Sequence, residues 1–507
     1  MNSSKQIKMG AVLSYSMVLF NVVCGLIYTP WMIRQIGKAD YGLYVLVTSF
    51  LHYFVVDFGL WMAINKILSR LRAEGREDEE RNVIGLTTKI YLCMDIVVCI
   101  AIVIAFFFID RFFGNLTPEE LSRFKVAYII AAAFSVLSFP FGFLKGIFQS
   151  HEFFIQTKIF DFFTKIGIIF FTILLLLFNV GFYSLVIVFG AVPLIINIGR
   201  VFFLKNKGIT QNLHYNNNPM LRDIFSTSMW LFIIVLAELF VNNISPSLLA
   251  AFSNTTQIAI FGIGLTLSQY VYTFASSING LLLPKITKMS VENDVDSIHA
   301  LTYRIGRLQL IVTGCLVFGI ILVGQSFINA WVGPDFSSSY IVAAALVIPQ
   351  LLINMQQVES TQLFVNDKIR YRAFSMMTTA VLTIVSSVFL IPRLGAIGSA
   401  IAIASSNFFI MFVVMNIVYH KYLGFSLHCY MKELTPIVMA YCCIIASYVI
   451  ICRFFISSNI NGWVEVLVRG GLYMTIFFIC MVIFTNPYEK KLFSSPLKRI
   501  IKGLHLS

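Results

Sequence analysis

Apolar windows of about 20 residues follow one another along almost the whole chain, separated by short charged or Gly/Pro/Asn-rich breaks. An α-helix rises about 1.5 Å per residue, so each window is long enough to cross the roughly 30 Å of hydrocarbon in a bilayer. They fall near residues 10–33, 41–64, 83–109, 124–147, 158–179, 183–204, 223–250, 257–283, 305–331, 339–364, 373–392, 396–419, 434–456 and 464–486. A soluble fold of 507 residues cannot cover itself with 12% charged residues while hiding 58% hydrophobic ones. In hydrocarbon each peptide group must find its partner within the chain, and helices do so segment by segment. The prediction is an all-α, polytopic membrane protein of about 14 spans. The first window follows Lys5 and Lys8 but is too long for a signal-peptide core, so it is read as a span.

The net charge of +13 is spread over short loops and not gathered in one patch, which argues against nucleic acid as partner. With an inside N-terminus, the inner connections collect Lys66, Arg70, Arg72, Arg76, Arg81, Lys145, Lys158, Lys205, Lys207, Arg222, Lys285, Lys288, Arg304, Lys368, Arg370, Arg372, Lys421 and Lys432, and the tail adds Lys490, Lys491, Lys498, Arg499 and Lys502. The outer connections hold only Arg34, Lys38, Arg111, Arg123, Lys125, Arg393 and Arg453. Positive residues stay on the cytoplasmic side, so both termini are expected there. The outer connections are short, with Glu119-Glu120 as the one acid pair, and leave no room for a catalytic domain. Nine cysteines without a C-x-x-C pair read as small core residues. No phosphate-binding loop or H-E-x-x-H motif occurs, and the seven histidines are scattered, so no cofactor or metal is expected. Any work done by such a chain would then draw on an ion gradient, H⁺ or Na⁺, on membrane potential or on substrate flux and not on nucleotide hydrolysis.

The chain also matches itself. Phe108-Ile109-Asp110-Arg111-Phe112-Phe113-Gly114 closes the third window and Phe327-Ile328-Asn329-Ala330-Trp331-Val332-Gly333 the ninth, 219 positions later. Tyr128-Ile129-Ile130-Ala131-Ala132-Ala133 opens the fourth and Tyr340-Ile341-Val342-Ala343-Ala344-Ala345 the tenth, 212 later. Pro30 and Pro246 stand 216 apart, Gly181 and Gly395 214 apart, again in matching places. An offset of six windows keeps the orientation, so two six-span halves would be related by a pseudo-twofold along the membrane normal. The predicted organisation is a lobe over 1–210, a second over 211–420, two accessory spans over 421–486 and a basic tail over 487–507.

Gln35-Ile36-Gly37-Lys38-Ala39-Asp40-Tyr41-Gly42-Leu43-Tyr44 and Asp57-Phe58-Gly59-Leu60 resemble the signatures of the Wzx-type polysaccharide flippases, part of the multidrug/oligosaccharidyl-lipid/polysaccharide export superfamily. The resemblance implies a MATE-like fold with two six-helix lobes that open alternately, in a bacterial inner membrane. It implies a polyprenyl-diphosphate-linked oligosaccharide as cargo, for O-antigen, capsule or exopolysaccharide, with the prenyl tail in the membrane lipid. A polysaccharide polymerase and chain-length machinery would be its partners. Relatives place Arg or Lys deep in the first spans, whereas span 1 here has no charge between Lys8 and Arg34.

An ionisable group in hydrocarbon is costly unless it faces a cavity or a partner. Asp57, Asp95 and Glu238 lie mid-span and are the ion-coupling candidates, with helix packing as their structural alternative. Glu238 stands about 24 Å along its helix from Arg222, too far to snorkel back. A diphosphate leaving water needs fixed positive charge, which makes Lys66, Lys89, Arg304 and Arg307 candidates, against snorkelling to headgroups. Lys145 and Glu359, 214 apart, are candidates for a gate between lobes. Asp161 and Lys165 have the spacing of a pair within one helix, and Trp31, Trp61, Trp230 and Trp331 read as interface anchors. Two other functions stay open at this point: a cation-coupled multidrug or small-molecule antiporter on the same fold, and an integral membrane glycosyltransferase or polymerase.

Overall fold

The computed structural model describes residues 3–53, 59–178, 180–215, 218–279, 286, 287, 289, 290, 292, 294–455, 461–487, 489 and 490, and no strand occurs among them. The helices are α1 (Ser3–Ile36), α2 (Lys38–Leu51), α3 (Leu60–Ala73), α4 (Glu77–Phe112), α5 (Pro118–Ser138), α6 (Leu144–Ser150), α7 (Phe154–Leu177) and α8 (Phe182–Asn206). They continue as α9 (Asn218–Phe252), α10 (Thr255–Asn279), α11 (Val295–Trp331), α12 (Ser339–Met355), α13 (Gln357–Val365) and α14 (Ile369–Ser406). A π-helical turn, Asn407–Val414, leads into α15 (Met415–Leu423), and α16 (Leu427–Phe455) and α17 (Gly462–Phe484) follow.

Eleven of these stretches are long and apolar enough to cross a membrane, or twelve if α12 and α13, bent by 55°, count as one broken span. Two places separate this from the expected number. The window 41–64 is divided between α2 and α3, with 54–58 outside the described residues. The stretch Ile369–Leu423 is a single candidate of 55 residues, although at about 1.5 Å per residue it exceeds any one crossing. Within it Gly395 has a non-helical φ of 56°, at the turn expected between two windows.

The lipid-facing surface is apolar by necessity. On α4, Ile96, Val97 and Phe107 are exposed by 63, 66 and 74%, while Tyr91, Val98 and Ile102 on other faces are buried. The chain is therefore a multi-span membrane protein whose outer face is solvated by acyl chains.

Contacts divide the chain into two units, Met1–Gly262 with Ala373–Ile403, and Ile263–Arg372 with Ala404–Ser507. In unit 1, α5 packs on α8, α7 on α1 and α8, and α9 on α2 and α3. In unit 2, α11 is the central helix, with α12, α16 and α17 around it. Tyrosine hydroxyls hold the accessory helices to α11: Tyr441 donates to the Ile311 carbonyl at 2.9 Å and Tyr473 to that of Cys315 at 2.7 Å. Without water, a phenol must use the spare lone pair of a helix carbonyl. Gly314 leaves the room that the Tyr441 ring fills.

The duplication recurs as local structure. Tyr128 donates to the Ile102 carbonyl at 2.7 Å in unit 1, and Tyr340 donates to the Ile321 carbonyl at 2.7 Å in unit 2. Ile102 and Ile321 are 219 positions apart, the offset of the flanking sequence match. Gly181 and Gly395 both have positive φ, 76° and 56°, a conformation that costs glycine little. Pro30 and Pro246 both lie inside helices.

Two sequence expectations are corrected. Trp331 is not an interface anchor: it is 2% exposed and its ring stacks on Phe327 at 5.5 Å. Asp161 pairs across helices with Arg200, at 2.7 Å, and not with Lys165 along its own.

Candidate functional site

The motif Asp40-Tyr41-Gly42 opens α2, and its residues have identifiable physical tasks. Gly37, at φ 85°, turns the chain out of α1. Asp40 sits in the first turn of α2, where a carboxylate favours the helix dipole, and pairs with Arg123 of α5 at 2.5 Å. At Gly42 the carbonyl of Thr255 occupies the place of a side chain, so any Cβ would overlap it. Thr255 in turn donates to Glu120 at 2.6 Å. Glu120 also closes the N-terminal capping box of α5 with Thr117. The one acid pair of the predicted outer loops thus contributes a structural carboxylate.

Asp57 lies outside the described residues, but the residues on either side of it meet α9. The ring of Tyr53 stacks on Phe240 of α9 at 5.5 Å. Gly59, in the left-handed region at φ 68°, leaves its Cβ position 3.5 Å from the Leu231 Cβ. Glu238 is on the same helix, half-buried beside the buried Ala237 and Val241. Tyr53, the start of α3 and the acid-bearing part of α9 therefore share one region of unit 1.

The other candidates of unit 1 are dispersed. Asp95 is half-buried on α4, its Oδ1 enclosed and without a hydrogen-bond partner among the described residues. Lys66 is exposed on α3. Lys89 is half-buried on α4 and donates to the Tyr215 carbonyl at 3.2 Å. Lys145 lies with its Nζ 4.2 Å above the Trp61 ring, a cation–π contact between α6 and α3.

In unit 2, Arg304 is exposed on α11, whereas Arg307, one turn on, is 5% exposed. Its Nε and Nη2 donate to the two carboxylate oxygens of Glu489 at 2.6 and 3.0 Å, and Nη1 donates to the Glu433 carbonyl at 2.6 Å. Burial opposes ionisation of Glu489, but the Arg307 bonds and one from the Asn486 amide outweigh it and hold the carboxyl below its ordinary range. The guanidinium fork is thus filled by the chain itself.

Glu359 is 1% exposed on α13, just past the 55° bend. Both of its carboxylate oxygens are enclosed, with the Thr302 hydroxyl of α11 as a neighbour. The bend frees the carbonyl of Met355, which Tyr430 of α16 satisfies at 2.6 Å. Gln356 at the bend donates to Asn416 at 2.7 Å.

Sequence reading missed the strap of residues 207–215 that follows α8. The Asn212 amide donates to the Arg81 carbonyl at 3.0 Å, its side chain donates to Asn82 at 2.7 Å, and Thr88 donates to Gln211 at 2.7 Å. Gly85 lies beneath it, with the Asn212 backbone occupying the space of a side chain. Asn82, Gly85, Thr88 and Lys89 recur at helical spacing on α4, but their polar partners lie over 120 positions away. Only Gly85, a helix-weakening residue in a helical window, hinted at a close approach.

A family model described as polysaccharide biosynthesis protein matches residues 7–290. A search of curated proteins by sequence gave no match. Among solved structures, the chain is similar to the lipid II flippase MurJ in an inward closed conformation, at TM-score 0.66 and 13% identity over 95% of this chain and 98% of that one. It is similar to an inward-facing multidrug-resistance MATE transporter of the MOP superfamily, at TM-score 0.64 and 13% identity over 82% and 99%. The Vibrio cholerae MATE transporter VcmN, in its bent form, aligns at TM-score 0.55 and 13% identity over 85% and 98%. The fold is that of MurJ and the MATE transporters.

Proposed function

Because the chain belongs to the polysaccharide biosynthesis protein family, we propose that it is a flippase carrying polyprenyl-diphosphate-linked oligosaccharide outward across the bacterial inner membrane by alternating access. It is a transporter and not an enzyme. The family match carries the reading, and likeness to a lipid II flippase over 95% of the chain supports it. The lobes are residues 1–210 and 211–420, the accessory spans 421–486, and both termini and the basic tail are cytoplasmic, in keeping with the Lys/Arg asymmetry of the loops. A polymerase and chain-length machinery receive the flipped unit.

Glu238 and Asp57 couple the cycle to H⁺ or Na⁺, since a driving ion must bind the two conformations unequally and a half-buried carboxylate such as that of Glu238 is such a binder. Lys66, Lys89 and Arg304 recruit the diphosphate. Arg307 joins them when Glu489 gives up its fork. Lys145 and Glu359 take part in gating.

A second reading, a cation-coupled antiporter, is favoured by the enclosed Asp95 carboxylate and the likeness to MATE transporters. Reconstitution separates the two. Vesicles containing the protein should expose a lipid-linked oligosaccharide to an external glycosidase many times faster than empty vesicles. Gradient-driven export of an organic cation without any flipping would support the antiporter instead.

A further inference from the structure

Two cavities of unit 1 stand side by side at the strap. The first, of about 410 Å³, is mostly apolar and is walled by Pro140, Phe141, Phe143, Leu144 and Val201, with Lys205 at its edge. The second, of about 280 Å³, contains Arg72, Arg81 and Lys207 together with Glu77 and Glu80. Ile84, Ile209 and Thr210 line both, so an apolar space passes directly into a charged one.

Charge and position say what fits. Glu80 is already engaged, by His151 at 3.0 Å, with both side chains about nine-tenths buried. Arg72 donates to the Ser150 carbonyl, and Lys207 lies over the Phe203 ring at 5.8 Å, so their charge remains available to an anion. Arg81 makes a long contact with Asp78, at 3.7 Å. The charged cavity thus sets three cations, Arg72, Arg81 and Lys207, against the carboxylates of Glu77 and Glu80, and Lys205 adds a fourth cation on the lining of the adjoining apolar cavity. The charged cavity lies at the ends of α4 and α8, whereas Val201 and Phe202, 39 and 62% exposed, carry the outer face of α8 into the apolar zone. Headgroup depth and acyl depth thus coincide with the charged and apolar cavities.

We propose that these adjoining cavities bind an anionic glycerophospholipid, its phosphate between Arg81 and Lys207 and one acyl chain along Phe141 and Val201. Basic pockets between membrane helices hold anionic headgroups in this way, and each methylene withdrawn from water strengthens the hold. The strap forms a wall of both cavities through Ile209 and Thr210, so an occupying lipid would brace the connection that leads from α8 to α9. The proposal holds whichever cargo the protein moves.

The full-length protein in detergent is titrated with phosphatidylglycerol, phosphatidylcholine, undecaprenyl phosphate and inorganic phosphate, and the first tightly held lipid is followed by native mass spectrometry. Phosphatidylglycerol should be retained in preference to phosphatidylcholine and survive millimolar inorganic phosphate. Arg81→Ala and Lys207→Gln should each weaken it roughly fivefold. Arg81→Ala leaves intact the backbone carbonyl on which Asn212 hangs, and Lys207 is exposed, so one of the two variants will fold even if the other does not. Val201→Trp, which fills the apolar cavity without changing charge, should weaken binding as well. Unchanged affinity in the folded variants would overturn the proposal. Displacement by inorganic phosphate, equal retention of phosphatidylcholine or stronger retention of undecaprenyl phosphate would each do the same.

Discussion

Arg307 and Glu489 form a two-pronged ion pair, 2.6 and 3.0 Å long, that ties the segment after the last helix to the central helix of unit 2. Removing one partner strands the other charge in a buried place, which costs about 3 kcal/mol. Glu489→Ala should therefore lower the melting temperature in detergent by several degrees. A double replacement, Arg307→Met with Glu489→Met, should recover most of the loss. A melting curve for Glu489→Ala that overlays wild type would mean that the pair contributes nothing.

The same pair sets a pH dependence. The Glu489 carboxyl is held below its ordinary value of 4.5, so its contribution is complete above that pH and fades as the pH falls through the lowered value. The difference in melting temperature between wild type and Glu489→Gln should be constant at neutral pH and shrink below about 4.5. A gap that instead widened on acidification would reverse the assigned sign.

Gly85 tests the strap. A side chain there must displace the Asn212 backbone, and overpacking of this kind costs about 1–3 kcal/mol. Gly85→Leu should destabilise the protein and, in a cysteine-free background, raise the labelling rate of Asn212→Cys. Equal labelling with and without the Gly85→Leu substitution would show that the strap adapts without opening.

Coupling is tested at Glu238. Glu238→Gln keeps shape and removes the titrating group, so flipping in vesicles should persist without a gradient while its acceleration by imposed H⁺ or Na⁺ gradients falls about tenfold or more. A wild-type response to both gradients would leave Glu238 a packing residue.

Orientation is tested by labelling. The Asp78 side chain is 96% exposed, so Asp78→Cys in a cysteine-free background should react with a permeant maleimide and stay protected from an impermeant one in spheroplasts. Glu119→Cys should react with both reagents. The opposite pattern would invert the topology.

Membrane residence, helical structure and duplication follow from the sequence by itself. Hydrocarbon judges each window on length and polarity, which are local properties, and it admits helices because peptide groups must be satisfied within the segment. The duplication was readable because two copies of one solution keep the residues that make it: Tyr128 and Tyr340 meet equivalent carbonyls, and Gly181 and Gly395 take the same sign of φ. The Asp40-Tyr41-Gly42 motif was readable as a signature, but its cause, the Thr255 carbonyl against Gly42, was not. Charge partners were decided only by tertiary structure. Arg307 finds Glu489 across 182 positions, Asp161 takes Arg200 over its helical neighbour Lys165, and Asn212 settles on Gly85. Such pairings depend on how each helix is rotated about its axis and which neighbour it packs against. Hydrophobic pattern constrains that rotation weakly where a helix is apolar all round, because lipid and protein then accept nearly any face.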